Sequence, residues 1–396
     1  MQYFLLALVL FSSSVLANYA PTVLISIDGL ANHQFKKLKP KNLTKIAESG
    51  LVAEALLPVF PTKTFPNHLS IVTGKYPGEH GILHNRFFSR SRDKNYKLGD
   101  GKYDPTWVKA KPIWVIAEER GLKSTSYFWP ESESTLFGHS PSEFYQYLQS
   151  THAKTKLDKV LAWLSLPESE RPKFITTYFS IVDSTNHNYG AFSPQAKEEL
   201  TKLDVLLGEF FAEIEKRNIN ANIILVSDHG MTDVHTKLEM DKVNFPTTTK
   251  IVDGQTQLFI YEKDKRKLRQ VADTLNDMAA GRFTVYNQHQ FPEHWHLKPS
   301  PINEDVLPDI IVNAKPGIIF TTKRYETSAT HGYDLTDTNE MEAIFIATGP
   351  NIKQGTMPAF QNIYVFNLLL TLLNINEYKD KPENSPDFIP WLTLQH

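Results

Sequence analysis

Five short runs in this chain are apolar or β-branched with almost no alternation. They are Thr22–Ile27 (TVLISI), Thr125–Phe128 (TSYF), Phe174–Val182 (FITTYFSIV), Asn222–Ser227 (NIILVS) and Ala343–Thr348 (AIFIAT). A strand with one wet face alternates apolar and polar residues. A run that does not alternate suits a strand covered on both faces, as in a parallel sheet. Helical patterns separate the runs, at Pro112–Arg120, Lys154–Ser165, Ser193–Asn218 and Val365–Leu373. This succession predicts an α/β/α sandwich around a mostly parallel central sheet. Residues 250 to about 320 break the pattern with QLFIYE, a charged helical stretch Asp264–Ala280, FTVYN and PDIIVNA. They predict a small α+β insertion packed on the main domain.

The chain opens on the apolar run Tyr3–Phe11, too short to span a bilayer as a helix. Small residues follow to Ala17, and Val15 and Ala17 fit a signal-peptide cleavage pattern. The expected organisation is a signal peptide over 1–17 and one catalytic domain over 18–396, exported to a periplasm or secreted. The apolar stretch Asn362–Ile375 carries internal polar positions and reads as a core helix, so no membrane span is expected in the mature protein. The chain has no cysteine, which excludes a Cys nucleophile, an Fe–S cluster and thiolate-bound zinc. Its 42 Lys and Arg against 44 Asp and Glu leave a net charge of -2. That speaks against a stable nucleic-acid partner. It does not speak against small anions, because a bound metal adds positive charge that the count omits.

Three predicted strands run into carboxylates: Asp28 after TVLISI, Asp183 after FITTYFSIV, and Asp228-His229 after NIILVS. In an open parallel sheet the strand C-termini face one crevice, where ligands bind. Three carboxylates gathered there repel one another and desolvate badly unless a cation joins them. His187 lies four residues after Asp183 and can face the same point. His331 sits in a Thr330-His331-Gly332-Tyr333 loop before the AIFIAT run. Carboxylate and imidazole without thiolate suit catalytic zinc. Two such groups suggest two Zn2+ about 4 Å apart, able to stabilise both the attacking and leaving oxygens of a phosphoryl transfer. Singly, an Asp-x-x-x-His is usually a helix-surface pair and a His-Gly usually a turn; the joint order at strand ends carries the reading. The other histidines, including His33, His68, His84, His289, His294 and His296, read as surface or structural.

The segment Phe60–Tyr76, FPTKTFPNHLSIVTGKY, places Thr64 just before Phe65-Pro66 and a helical run. Thr is a capping type and Pro suits a first turn. A helix N-terminus also presents N–H groups and a positive dipole end to an anion. Thr64 reads equally as an N-cap or as a nucleophile activated by a metal.

Together these segments resemble the nucleotide pyrophosphatase/phosphodiesterases of the alkaline phosphatase superfamily. TKTFPNHLSIVTGKYPGEHGILHN (Thr62–Asn85), LISIDGL, SDHGM and THGY carry the resemblance, which runs from Thr22 to about Ile375. It implies one zinc on Asp183, His187 and His331, and a second on Asp28, Thr64, Asp228 and His229. It makes Thr64 the nucleophile, with Asn85 and the Phe65 N–H holding a phosphate oxygen. Phe65 and Tyr147 would stack a base between them. The implied substrate is a small-molecule phosphodiester, a nucleotide or nucleotide derivative, cleaved through a phospho-threonine to give a nucleoside 5′-monophosphate. Two positions depart from the family. Asn186 stands where Gly usually precedes the metal-binding His, and Asn's tolerance of left-handed backbone would keep that turn. Glu131 follows Trp129-Pro130 where Gly is usual, which bears on the pocket.

A sulfatase would need an oxidised Cys or Ser in a Pro- and Arg-containing motif, and the Thr64 segment offers none. A monoesterase would be expected to place an Arg beside the ligands, and the sequence points to none. A phosphonate hydrolase, or a lipid or choline phosphodiesterase, is the alternative enzyme. A non-catalytic binder would lack a ligand or the nucleophile, and all are present. Residues 250–320 and Trp129–Tyr147 are expected to carry substrate choice.

Overall fold

The computed structural model describes residues 20–321 and 326–393. The expected signal segment 1–17 lies outside the described residues. Eight strands form the central sheet, in the order Gly355–Met357, Leu51–Ala53, Phe345–Thr348, Asn222–Val226, Thr22–Ile27, Phe174–Phe179, Ser124–Tyr127, Glu143–Tyr145. Thr22–Ile27 sits in the middle, parallel to both neighbours, with Ile25 level with Thr177 and Leu225. Phe345–Thr348 runs antiparallel to both of its neighbours. The fold is therefore an α/β sandwich on a mostly parallel sheet.

Burial explains the missing alternation. Every residue of Thr22–Ile27 is buried, but the two faces enter different cores. Val23, Ile25 and Ile27 pack with Leu157, Leu161, Leu203 and Leu207 from the helices Ala153–Leu164 and Pro194–Lys216. Leu24 packs on the other side with Leu69, Val72, Trp114 and Leu369 from the helices Thr64–Thr73, Ile113–Glu119 and Val365–Leu372. The long helix Pro194–Lys216 starts cleanly because the Ser193 hydroxyl accepts from Ala196 N–H and Pro194 needs no donor of its own.

Residues 250–314 build a four-stranded antiparallel sheet, in the order Lys250–Asp253, Gln257–Tyr261, Ile310–Ala314, Phe283–Asn287. The helix Lys265–Ala279 covers one face through Val271, Ala272 and Leu275. Phe259, Tyr261 and Ile311 on the other face join the main core. Gln257 Nε2 donates to Gly332 O at 2.8 Å, tying this sheet to the His331 loop.

Two local expectations are corrected. The run FITTYFSIV is not one strand: the strand ends at Phe179, and a helix begins at Ile181 and runs to Tyr189. An apolar run alone cannot separate a buried strand from the start of a buried helix. Asn186, expected in a left-handed turn, is a buried residue inside that helix. Its amide donates to Gly29 O and its carbonyl accepts from Gln34 Nε2.

Candidate active site

The strand ends, the helix Ile181–Tyr189 and the His331 loop meet at one edge of the central sheet. Asp28 directly follows its strand, its N–H still bonded to Phe179 O at 2.9 Å. Gly29 then turns at φ 68°, and a Cβ there would stand 2.9 Å from the Asp183 Cβ. Only glycine lets the Asp183 helix approach this closely. Asp183 occupies the first turn of that helix and His187 its last turn, on one face. Because Phe345–Thr348 is antiparallel, its leading loop lies at the same edge as its neighbours' C-termini, which delivers His331.

Two groups of three have all their ligand atoms within 4.8 Å of one another: Asp183, His187 and His331, and Asp28, Asp183 and His229. Asp228 adjoins the second group, its Oδ2 3.0 Å from His229 Nε2, while its Oδ1 accepts from Gly29 N–H at 3.1 Å. The three imidazoles are oriented alike. Nδ1 lies 2.8 Å from Ala329 O in His187, 2.9 Å from Gly230 O in His229 and 2.8 Å from Thr62 O in His331. A carbonyl only accepts, so each Nδ1 carries the proton and each Nε2 its lone pair. Those lone pairs face carboxylates: His187 Nε2 is 3.4 Å and His331 Nε2 3.9 Å from Asp183 Oδ1, and His229 Nε2 is 3.5 Å from Asp28 Oδ1. Asp28 Oδ1, Asp183 Oδ1 and Asp228 Oδ2 are buried and take no hydrogen bond among the described residues. Lone pairs converging on orphaned carboxylate oxygens fit a divalent cation. Burial first, then the neighbouring carboxylates, pushes Asp28 well above the usual carboxylate range; burial also raises Asp228. His229 and His331 are held down by burial.

Thr64 opens the helix Thr64–Thr73 rather than capping it. Lys63 is the N-cap, and no side chain caps this end. The Thr64 hydroxyl instead stands 3.4 Å from His229 Nε2. Phe65 N–H, expected to reach a phosphate oxygen, donates to Asn85 Oδ1 at 2.9 Å. That bond occupies the Asn85 carbonyl and leaves its Nδ2 as the remaining donor. Phe65 and Tyr147 line one pocket of about 890 Å³ with Asp28, Thr64, Asn85, Asp183, His187 and His331. The Tyr147 ring packs edge-on against Phe128 at 5.4 Å, and its hydroxyl lies 3.1 Å from Ser180 Oγ. Both segments expected to shape this space reach it: Asp253, Gln255 and Phe320 from one side, Glu131, Glu133 and Tyr147 from the other. Arg86, directly after Asn85, also lines it.

Sequence reasoning missed two residues. His68 is fully buried, with Nδ1 2.8 Å from Thr64 O and 3.4 Å from Asp228 Oδ2, and Nε2 2.8 Å from Ser26 Oγ. Burial pushes it down to about 3. It follows Thr64 by four residues on one helix, a spacing that could have marked it. Lys63 is also buried and donates from Nζ to His331 O at 2.6 Å. Burial lowers it to about 7.

The sequence pattern of the type I phosphodiesterase / nucleotide pyrophosphatase family matches residues 22–334. The chain belongs to this family. It is 32% identical over 377 residues to human ectonucleotide pyrophosphatase/phosphodiesterase family member 1, covering 90% of this chain and 40% of that one. It is 34% identical over 373 residues to bovine family member 3, covering 90% of this chain and 42% of that one. The chain thus spans about two fifths of the length of these relatives. An uncharacterised pyrophosphatase/phosphodiesterase of Schizosaccharomyces pombe is 31% identical over 383 residues, covering 89% of this chain and 76% of that one. Among solved structures, an inactive Thr-to-Ala variant of murine ectonucleotide pyrophosphatase/phosphodiesterase 5 in complex with AMP superposes with a TM-score of 0.86 at 26% identity. It covers 94% of this chain and all of that one.

Proposed function

We propose that this chain is an exported, zinc-dependent hydrolase of phosphodiester and pyrophosphate bonds in nucleotides or their derivatives. Residues 18–396 would be its single catalytic domain, with an insertion near 250–320 and an export signal over 1–17. The observation that carries the reading is the Thr64 hydroxyl at a helix N-terminus, facing convergent Asp and His atoms and flanked by the Asn85 amide. Asp183, His187 and His331 would hold one Zn2+, and Asp28, Thr64, Asp228 and His229 the other. Bound zinc would favour the Thr64 alkoxide, offset phosphate charge and lower the pKa of water.

The residues divide the remaining work. Thr64 Oγ1 forms a bond to phosphorus as the leaving-group oxygen departs, giving a phospho-threonine that keeps the nucleotide part. Water then cleaves the threonine ester, frees Thr64 and releases a nucleoside 5′-monophosphate. Asn85 Nδ2 holds a non-bridging oxygen, and its fixed amide is already paid for by the Phe65 N–H bond. Phe65 and Tyr147 bound the side of the pocket where a base would lie. The AMP complex of the murine structural relative, whose Thr-to-Ala variant is described as inactive, supports both the nucleotide class and a threonine nucleophile. Relatives named ectoenzymes support export, and among the described residues no helix is long and apolar enough to cross a membrane.

The test compares p-nitrophenyl thymidine 5′-monophosphate with p-nitrophenyl phosphate on zinc-loaded protein. Strong preference for the diester, lost in Thr64→Ala, is expected. Preference for the monoester would replace the reading with a phosphatase.

A further inference from the structure

Glu131 sits at φ 66°, in the left-handed region that strains a side chain and that glycine enters freely. The side chain is nonetheless 4% exposed and fully engaged. Oε1 accepts the Tyr96 hydroxyl at 2.5 Å, and Oε2 accepts the Ser134 hydroxyl at 3.4 Å. The Gly101 main chain packs directly on this carboxylate. A Cβ on Gly101 would stand 2.1 Å from Oε2, so the loop Gly99–Tyr103 closes on the carboxylate only because a glycine is there. Tyr96, wholly buried, belongs to the strand Lys94–Lys97 that leads into this loop.

The braced loop is a wall of the pocket. Leu98, Gly99, Lys102 and Tyr103 line it, with Leu98 56% and Tyr103 78% exposed. Large side chains so exposed need their main chain held if they are to present a fixed surface. Glu133, two residues further on, accepts the Tyr147 N–H at 2.5 Å and lies 3.4 Å from Lys102 Nζ. A single turn therefore fastens both flanks of the outer pocket, and it does so from a strained position that the reacting centre does not need.

We propose that Glu131 is a positioning residue for substrate selectivity, which holds the loop Gly99–Tyr103 as a rigid wall against a base-bearing retained group. The proposal rests on the phosphodiesterase reading above. A diester carrying a nucleoside would gain from the wall, and a compact diester that fills only the space around Thr64 would not.

The experiment uses the full zinc-loaded chain with Glu131→Gly and Glu131→Gln. Substrates are p-nitrophenyl thymidine 5′-monophosphate and methyl p-nitrophenyl phosphate. In Glu131→Gly, KM for the thymidine ester is expected to rise about tenfold, with kcat and the methyl ester's kcat/KM within about twofold. Glu131→Gln keeps the shape and one acceptor and should recover part of that loss. Amide hydrogen exchange over 97–104 should quicken in Glu131→Gly, while a thermal melt near that of the wild type excludes global unfolding. An unchanged KM for the thymidine ester, or an equal loss on both esters, overturns the proposal. Should the wild type cleave neither ester, the phosphodiesterase reading falls, and unchanged exchange over 97–104 would separately overturn the brace.

Discussion

The floor and the outer wall of the same pocket are built by different means. At the floor, main chain fixes the side chains: Asp28 continues a parallel ladder, and three imidazoles are each pinned to a backbone carbonyl. At the wall, side chains brace the loops: Glu131 and Glu133 hold Tyr96, Lys102 and the Tyr147 N–H, and Gly101 packs on the Glu131 carboxylate. A floor anchored in backbone tolerates few substitutions. A wall anchored by two carboxylates can be rebuilt by changing one or two residues. On the proposed reading, the chemistry would sit in the part of the fold that is hardest to move, and selectivity in the part that is easiest.

The comparison is broken most severely at the floor. Thr64→Ala should lower kcat by at least about a thousandfold, since Thr64 is the proposed nucleophile. A smaller loss in single-turnover assays would mean that another group attacks phosphorus. Metal removal comes next. Without an ion the lone pairs would stand against orphaned carboxylate oxygens, so chelation should abolish turnover and lower the melting temperature. Zinc at about a thousand times its Kd should restore roughly 4 kcal/mol. Equal melting curves with and without chelator would argue that the cluster holds no ion.

Smaller effects sharpen the contrast. His68→Ala should cut kcat about 10- to 100-fold with little change in KM, because His68 touches the Thr64 carbonyl and Asp228 but not the pocket. Tyr147→Ala should do the reverse, raising KM for the thymidine ester about tenfold and sparing the methyl ester. A drop in kcat for both esters would place Tyr147 with the floor.

A further contrast is a pH slope, read in stability rather than in turnover. Burial raises the Glu131 carboxyl from its usual 4.5 to about 7. A carboxyl with a raised folded pKa makes the native state bind the extra proton between those values. Stability from this group is therefore full below about pH 4.5 and lost as pH rises through about 7, by up to about 3 kcal/mol. Paired denaturant titrations should show a flatter slope in Glu131→Gln. Parallel slopes would mean that the carboxyl titrates normally.

The central strands were legible because burial on both faces leaves a run with no polar alternation. The gathering of Asp28 and Asp228 was legible because each follows a strand, and neighbouring parallel strands bring both to one edge. The strand before Asp183 was drawn too long, since Ile181 and Val182 are as apolar at the start of a helix as at the end of a strand. The true role of Asn186 was hidden for a related reason: its partners Gln34 and Gly29 are more than 150 residues away. His68 and Lys63 were passed over because their contacts run to main-chain carbonyls, Thr64 O and His331 O, which no side-chain motif records. Glu131 was legible only as a departure bearing on the pocket; its grip on Tyr96 and its packing against Gly101 depend on a hairpin that closes in three dimensions.

The imidazole bonds at the floor have a consequence for how an ion arrives. Each ring already donates its Nδ1–H to a carbonyl, which leaves the Nε2 lone pair free, so no tautomer has to be exchanged and no ring has to rotate when a cation enters. The ordering entropy is spent during folding, and arrival is left to diffusion and to the shedding of the ion's hydration shell. Such a site should load quickly and discriminate among divalent ions by size and ligand preference more than by any rearrangement they impose.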